Sequence, residues 1–309
     1  MKAVRFHVHG GPEVLRYEDV NTPTINADEV LIRVRSAGVS PFDAKVRRGY
    51  YKDFYGSLPH ILGWDLSGDV VAIGLDISSV KKGDPVFGYI DAHRMGGAYA
   101  EYAILKKDEV SYKPLHVSYH EAAAVAMNGL TAWQALFDTA HLEKGQTVLI
   151  HAAAGGVGHL AVQFAKWKGA HVIGTASAKN REFVLSLGAD ECIDYTTTPF
   201  ESAVKDIDLV LDTIGGDTLK KSFSAVTPTG AVVTITDFEG IKEAARYGVK
   251  GLTVFVKPNT KQLSEIGHLM EQGKLKVQIE KVFPLQEAEK AHILCETGHG
   301  KGKIILMVP

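Results

Sequence analysis

The sequence holds two cysteines in 309 residues, Cys192 and Cys295, with no paired spacing between them. That scarcity excludes a disulfide-stapled scaffold and points to a reducing compartment, so a cytoplasmic protein is expected. Long apolar runs are missing too. None approaches the roughly 18 residues of a membrane-spanning helix. The start, Met1-Lys-Ala-Val-Arg-Phe-His-Val, has no signal-peptide core and reads as a strand. Charge of one sign is not concentrated anywhere: 34 Lys and Arg stand against 36 Asp and Glu, a net charge of −2. Nucleic-acid and polybasic membrane partners are therefore not expected. No Gly-x-Ser-x-Gly elbow is present, which disfavours a serine hydrolase of that type. Internal repeats and low-complexity linkers are absent.

What is present is 45% apolar residues, enough for one large or two ordinary domains. The first 115 residues or so show short alternating runs between Gly, Pro and Asp or Asn turns, at 2–8, 30–36, 69–73, 85–90 and 99–105. A small barrel or sandwich is the expected result. Pro114 and the capping box Ser118-x-x-Glu121 then announce a helix, expected over 122–127 and, after Asn128-Gly129, over 131–137. From Gln146 strands and helices alternate. Strands are expected at 147–152, 171–176, 191–194, 208–213, 231–236 and 252–256. This is the pattern of an α/β protein with a doubly wound parallel six-stranded sheet. Helices at about 260–273 and 285–297 and a closing apolar strand at 303–308 follow.

The most informative segment is Thr147-Val-Leu-Ile-His-Ala-Ala-Ala-Gly155-Gly156-Val157-Gly158. An apolar strand runs into a glycine-rich turn, and a helix (159–168) starts at once. A dinucleotide pyrophosphate needs this order: a tight turn, a backbone bare enough to approach the phosphates, and helix N–H groups aimed at the anion. Against Gly-x-Gly-x-x-Gly the match is Ala153-x-Gly155-x-x-Gly158, a modest signal alone. Context strengthens it, because Gly169 stops the helix and a second strand completes a βαβ unit of about 30 residues. An NAD site usually carries Asp or Glu at the end of that second strand. Here it reads His171-Val-Ile-Gly-Thr-Ala176 and continues Ser177-Ala-Lys179-Asn-Arg181, without an acid. Lys179 or Arg181 could bond a 2′-phosphate, with a hydroxyl from Ser177, so NADPH is expected over NADH.

The segments Gly63-Trp-Asp65-Leu-Ser-Gly68, Lys82-Gly-Asp-Pro-Val-Phe-Gly88, Gly96-Gly-Ala-Tyr-Ala-Glu-Tyr102, Gly129-Leu-Thr-Ala132, His151 to Gly158 and Gly302-Lys-Ile-Ile-Leu306 carry a likeness that runs almost end to end. Together they resemble the medium-chain dehydrogenase/reductase superfamily, in its zinc-free quinone oxidoreductase-like branch. The resemblance implies a GroES-like β-barrel catalytic domain (1–117 and 257–309) and a Rossmann NADP-binding domain (118–256), with the cofactor in the cleft between them. Zinc-dependent relatives place Cys in the turn that here reads Ala37-Gly-Val-Ser40-Pro-Phe-Asp43, and His-Glu where this chain has Trp64-Asp65. A catalytic zinc needs about three N, S or O ligands. Ser40 and Trp64 cannot be two of them, and the four-cysteine structural lobe is absent as well, so no metal is expected. The pairs His7/His9 and His116/His120 lack further soft ligands nearby and read as surface or core histidines.

The same likeness implies site residues. Thr131, Phe255 and Val256 fall near the nicotinamide side, with Lys303 as a further cofactor-side contact. Ser40 stands there too, where the branch usually has Asn, and reaches less far. Gly155, Gly156 and Val157 would offer N–H groups to the pyrophosphate. Ser177, Lys179 and Tyr195 match a trio that contacts the 2′-phosphate. Asp43 is expected to hold its turn by accepting local N–H groups. Tyr50, Tyr51 and Tyr55, in an aromatic stretch, are candidates to edge the substrate cleft by stacking or proton donation; no acid–base residue is assigned.

Without a metal to polarise a simple carbonyl, acceptors with intrinsic activation fit best. The expected protein is therefore an NADPH-dependent reductase of a small-molecule quinone or α,β-unsaturated carbonyl. It is expected to be a homodimer paired through the last strands of its sheet. The alternative is an NADPH-binding sensor or binding protein with little turnover, because fold and cofactor do not prove catalysis.

Overall fold

Alternating buried and exposed side chains, the period-2 mark of a half-covered sheet, shape the first third of the chain. It forms β1 (Lys2–Phe6), β2 (Leu15–Asp19), β3 (Glu29–Val39), β4 (His60–Ile61), β5 (Asp65–Ile73), β6 (Pro85–Tyr89), β7 (Tyr102–Lys106) and β8 (Val110–Tyr112). Helices α1 (Pro41–Arg47) and α2 (Lys52–Tyr55) lie between β3 and β4. The computed structural model describes residues 1–309. They divide into two units, Met1–Met127 with Lys257–Gly273 and Val277–Pro309, and Asn128–Val256 with Lys274–Lys276. In the first unit β2-β1-β4 form a small sheet, and the eleven-residue β3 anchors a larger one.

Helix α3 (Tyr119–Trp133) starts on the expected capping box. Ser118 donates N–H and hydroxyl to Glu121 at 2.9 and 2.6 Å, and Glu121 N–H returns to Ser118 Oγ at 3.2 Å. The break expected at Asn128-Gly129 does not occur. The helix runs on and widens into a π-turn over Gln134–Thr139. Burial of Val125, Ala126, Leu130 and Ala132 outweighs the low helix propensity of one glycine.

The second unit alternates strands and helices: β9 (Thr147–Ile150), α4 (Gly158–Lys168), β10 (His171–Ala176), α5 (Arg181–Ser186), β11 (Glu191–Asp194), α6 (Phe200–Ala203), β12 (Ile207–Asp212), α7 (Gly216–Ser222), β13 (Val226–Thr234) and β14 (Lys250–Thr253). The strands form one parallel six-stranded sheet in the order β11-β10-β9-β12-β13-β14. This is the doubly wound order, whose ligand crevice lies at the carboxyl ends of the strands where the order reverses. Leu149, Val210 and Val232 bury one face against Phe200, Leu219 and Phe223. Strands covered on both faces need apolar residues at their centres, which is why β9 carries Val148-Leu-Ile150 and β12 Leu209-Val-Leu211. β9 stops short of the expected end because Ala152 turns left-handed. β14 stops at Thr253, so Phe255 and Val256 lie beyond the strand rather than at its end. Its neighbour β13 turns away after Thr234, whose hydroxyl accepts Asp237 N–H at 3.2 Å and whose carbonyl takes the last cross-strand bond, from Val254 N–H at 3.1 Å.

The chain then returns to the first unit through α8 (Thr260–Glu271), β15 (Ile279–Pro284), α9 (Ala288–Glu296) and β16 (Lys303–Met307). β16 runs antiparallel to β3, with Ile305 opposite Gly38, and completes the sheet β15-β16-β3-β5-β6-β8. No helix is long and apolar enough to cross a membrane.

Candidate functional site

In the second unit the chain leaves β9 through Ala152, whose φ is +46°. A left-handed backbone costs a residue with a Cβ about 1 kcal/mol, so neighbouring bonds must hold it. Ala152 N–H donates to Thr175 Oγ1 at 3.3 Å, Ala153 N–H to Thr175 O at 2.9 Å, and Gly155 N–H to Ala152 O at 2.8 Å. The Ala152 carbonyl then lies against Gly158, where a Cβ would meet it at 2.2 Å. Only glycine lets α4 begin this close. The helix opens without a side-chain cap, and the N–H groups of Gly156 and Val157 have no intrahelical carbonyl to bond. Bare backbone and helix dipole make an anion cradle, and a pyrophosphate fits it.

The next two strand ends carry the predicted 2′-phosphate group. Ala176 pairs with Asp194 across β10 and β11, and Tyr195 N–H donates to Ala176 O at 3.2 Å. Ser177 and Tyr195 are thereby brought side by side. Lys179 is exposed in the turn after Ser177. Arg181 instead aims Nε at Cys192 O, 3.4 Å away, which leaves Lys179 as the cation of this group. The Asp194 carboxylate accepts Thr196 hydroxyl and N–H at 2.7 and 3.0 Å, and these bonds hold it below the usual carboxylate range. Thr131 is buried in α3, and Phe255 packs at 6.5 Å from the ring of Phe238.

In the first unit Ser40 caps α1. Its N–H and hydroxyl donate to Asp43 Oδ2 at 2.8 and 2.5 Å, and Asp43 Oδ1 accepts Gly63 N–H at 2.9 Å. Asp43 thus holds the turn and ties it to the segment between β4 and β5. Burial pushes its carboxyl up to about 6. Beside it Asp65 accepts Lys303 Nζ at 2.7 Å and Met127 N–H at 2.5 Å. Lys303 is 3% exposed, so its ammonium is a buried partner of Asp65 and not a solvated charge. Sequence reasoning passes over Asp65 and His151 as individual groups. The available signal was an ionisable residue inside an otherwise apolar segment.

Two of the three candidate tyrosines come together. Tyr51 and Tyr55 lie 6.4 Å apart, Phe42 meets Tyr51 at 5.3 Å and Trp64 at 4.8 Å, and Tyr55 meets Trp64 at 5.9 Å. Tyr50 is 73% exposed and stands outside this cluster. Tyr55 donates its hydroxyl to Ala92 O at 2.6 Å, which removes it as a proton donor. Burial raises the Tyr51 phenol above its ordinary range.

No group of three or more His, Cys, Asp or Glu side chains is placed to hold a metal ion. The Ser40 hydroxyl is spent on Asp43, and the Trp64 indole N–H donates to Arg94 O at 3.2 Å. These residues do not fit a catalytic zinc.

Residues 26–115 match the family described as alcohol dehydrogenase GroES-like domain, and residues 187–306 that described as zinc-binding dehydrogenase. A chloroplast envelope quinone oxidoreductase homolog of Arabidopsis thaliana is 35% identical over 99% of this chain and 98% of its own length. A chloroplastic NADPH-dependent alkenal/one oxidoreductase of the same plant is 32% identical over 99% of this chain and 79% of its own. The solved structure of the quinone oxidoreductase from Coxiella burnetii superposes with a TM-score of 0.93 at 37% identity, over 100% of this chain and 99% of that one.

Proposed function

The chain belongs to the medium-chain dehydrogenase/reductase superfamily, in its quinone oxidoreductase-like branch, and from that premise we propose a zinc-independent reductase of quinones or α,β-unsaturated carbonyls that uses NADPH. The observation that carries this reading is the anion cradle at the head of α4, joined to a second strand that ends in Ser177 and Lys179 with no acid. Gly156 and Val157 offer their N–H groups to the pyrophosphate, whereas the Gly155 N–H expected beside them is already bonded to Ala152 O and Gly155 contributes only its missing side chain. Ser177, Lys179 and Tyr195 hold the 2′-phosphate. Thr131, Phe255 and Val256 flank the nicotinamide end. Ser40 and Lys303 are buried and already bonded, so they serve from inside, by fixing their turn and Asp65.

NADPH bound there supplies a hydride. The protein's part is to orient the acceptor and exclude water. A hydride would turn the acceptor into a hydroquinone anion or, by addition at the β-carbon, into an enolate, and either anion takes a proton from water or a placed donor. The aromatic cluster of Phe42, Tyr51 and Tyr55 offers ring faces for a planar acceptor. Tyr51 alone of the two clustered phenols has its hydroxyl off the Ala92 carbonyl. Zinc independence is supported by the donor set at Ser40 and Trp64. The scarcity of cysteine supports a cytoplasmic location, and the edge strand β14 supports a homodimer.

NADPH oxidation with a panel of quinones and enones tests the proposal, run in parallel with NADH and with a chelator. Turnover with NADPH, untouched by the chelator, is expected. In Lys179→Ala the preference for NADPH over NADH should narrow by about tenfold, the worth of one charge-assisted bond. Tight NADPH binding without turnover on any acceptor would replace the reductase with a binding or sensing role.

A further inference from the structure

His151 ends the apolar run of β9 and is 1% exposed. Burial pushes its imidazole down to about 4, so the ring is neutral near pH 7. Its neighbours settle the tautomer. Ser222 donates its hydroxyl to Thr218 O at 2.7 Å, so toward His151 Nε2, 2.9 Å away, it accepts. Nε2 therefore carries the ring proton. Nδ1 lies 3.1 Å from Thr175 Oγ1 and accepts that hydroxyl, and the same oxygen accepts Ala152 N–H at 3.3 Å. A single directed chain thus runs from the backbone of Ala152 through Thr175, His151 and Ser222 to α7. The ring is further braced by Phe200, at 4.5 Å between centroids. The His151 backbone is tied on both sides, its N–H to Leu211 O at 3.0 Å and its carbonyl to the Thr213 hydroxyl at 2.9 Å.

We propose that His151 is a positioning residue for the cofactor's pyrophosphate, holding Ala152 left-handed through Thr175 and so keeping the cradle of Gly156 and Val157 N–H groups in shape. The inference rests on the NADPH reading above. Ala152 is the weak joint, because its conformation suits glycine and it has a Cβ. Its carbonyl both accepts Gly155 N–H and sits over Gly158. Were Ala152 to relax to an ordinary φ, that carbonyl would swing and the cradle would lose its geometry. His151 acts through this joint and not by contact with the cofactor.

The test is binding of NADPH and of adenosine 2′-monophosphate to wild-type protein, His151→Leu, and His151→Leu with Ala152→Gly. Adenosine 2′-monophosphate lacks a pyrophosphate and reports on the Ser177, Lys179 and Tyr195 edge alone. In His151→Leu the Kd for NADPH should rise about tenfold, the factor one buried hydrogen bond carries, while that for adenosine 2′-monophosphate stays. Adding Ala152→Gly should restore most of the loss, since glycine adopts the left-handed turn unaided. Equal losses for both ligands, or no rescue by glycine, would overturn the assignment. If His151→Leu does not fold, Thr175→Val removes only the central hydroxyl and should show the same split. Wild-type protein that fails to bind NADPH overturns the cofactor reading and this assignment together. Wild-type binding that the variants match overturns the assignment alone.

Discussion

Arg47 is fully buried and charged, which a fold tolerates only when hydrogen bonds replace the lost water. Nη1 donates to His292 Nδ1 at 3.0 Å, Nε donates to Gly10 O at 3.2 Å, and Nη2 pairs with Glu296. Burial and the neighbouring guanidinium push His292 down to about 3. An unfolded histidine titrates near 6.5. Between those values the unfolded chain binds a proton that the folded one refuses. Stability therefore falls as pH falls, by about 1.4 kcal/mol per pH unit at full effect. His292→Gln keeps an oxygen for Arg47 but cannot titrate. Its urea midpoint should fall less steeply from pH 6 to 5 than that of the wild type; parallel slopes would refute the buried neutral ring. Asp43 works the other way. Raised to about 6, it binds a proton in the fold that the unfolded chain has released, so its contribution favours the fold at lower pH and is lost as pH rises through 6. None of this is legible in the sequence, because Arg47 and His292 are 245 positions apart and nothing local marks either as buried.

The strand, turn and helix around Gly158 form the element whose geometry is most exacting. Gly158→Ala would drive a Cβ into the Ala152 carbonyl at 2.2 Å, with backbone and no flexible side chain on the other side. Overpacking of this kind costs about 1–3 kcal/mol, and NADPH affinity should fall with it. Gly145→Ala is the control. Its φ is +86° but a Cβ there meets nothing within 4 Å, so only the backbone term of about 1 kcal/mol applies and NADPH binding should persist. Thermal unfolding and NADPH titration of both variants separate the two effects; equal behaviour would mean the close approach is not the constraint. This element was legible because its chemistry is local: an apolar run, small residues, and a stop at Gly169, which is left-handed at φ +90°. The strands missed by pattern are those whose register comes from elsewhere. β8 has three residues, and β2 buries only Leu15. β15 carries exposed Lys281 and Val282 and exists because β16 supplies its partner. The site divides in the same way. Ser177 and Tyr195 meet because adjacent parallel strands bring their ends together, whereas Asp65 and Lys303 join across 238 positions.

At the scale of the assembly, the parallel sheet ends in two edge strands, β11 and β14, and β14 is the one later in the chain. Val254 N–H donates inward to Thr234 O at 3.1 Å. Alternate residues of a ladder point their N–H groups to opposite sides, so that of Thr253 faces out from the edge. A second copy pairing there across a two-fold axis would extend the sheet and cover these groups. Thr253→Pro is the informative variant. Proline on an edge strand removes an outward donor while sparing the inward ladder, so the sheet should stay folded and still bind NADPH. By light scattering at micromolar concentration the wild type should be a dimer and Thr253→Pro a monomer. A wild-type monomer would reverse the meaning of the same strand. β14 is short and exposes Lys250 and Gly251, and a short strand bearing lysine is also how single chains keep a bare edge from pairing.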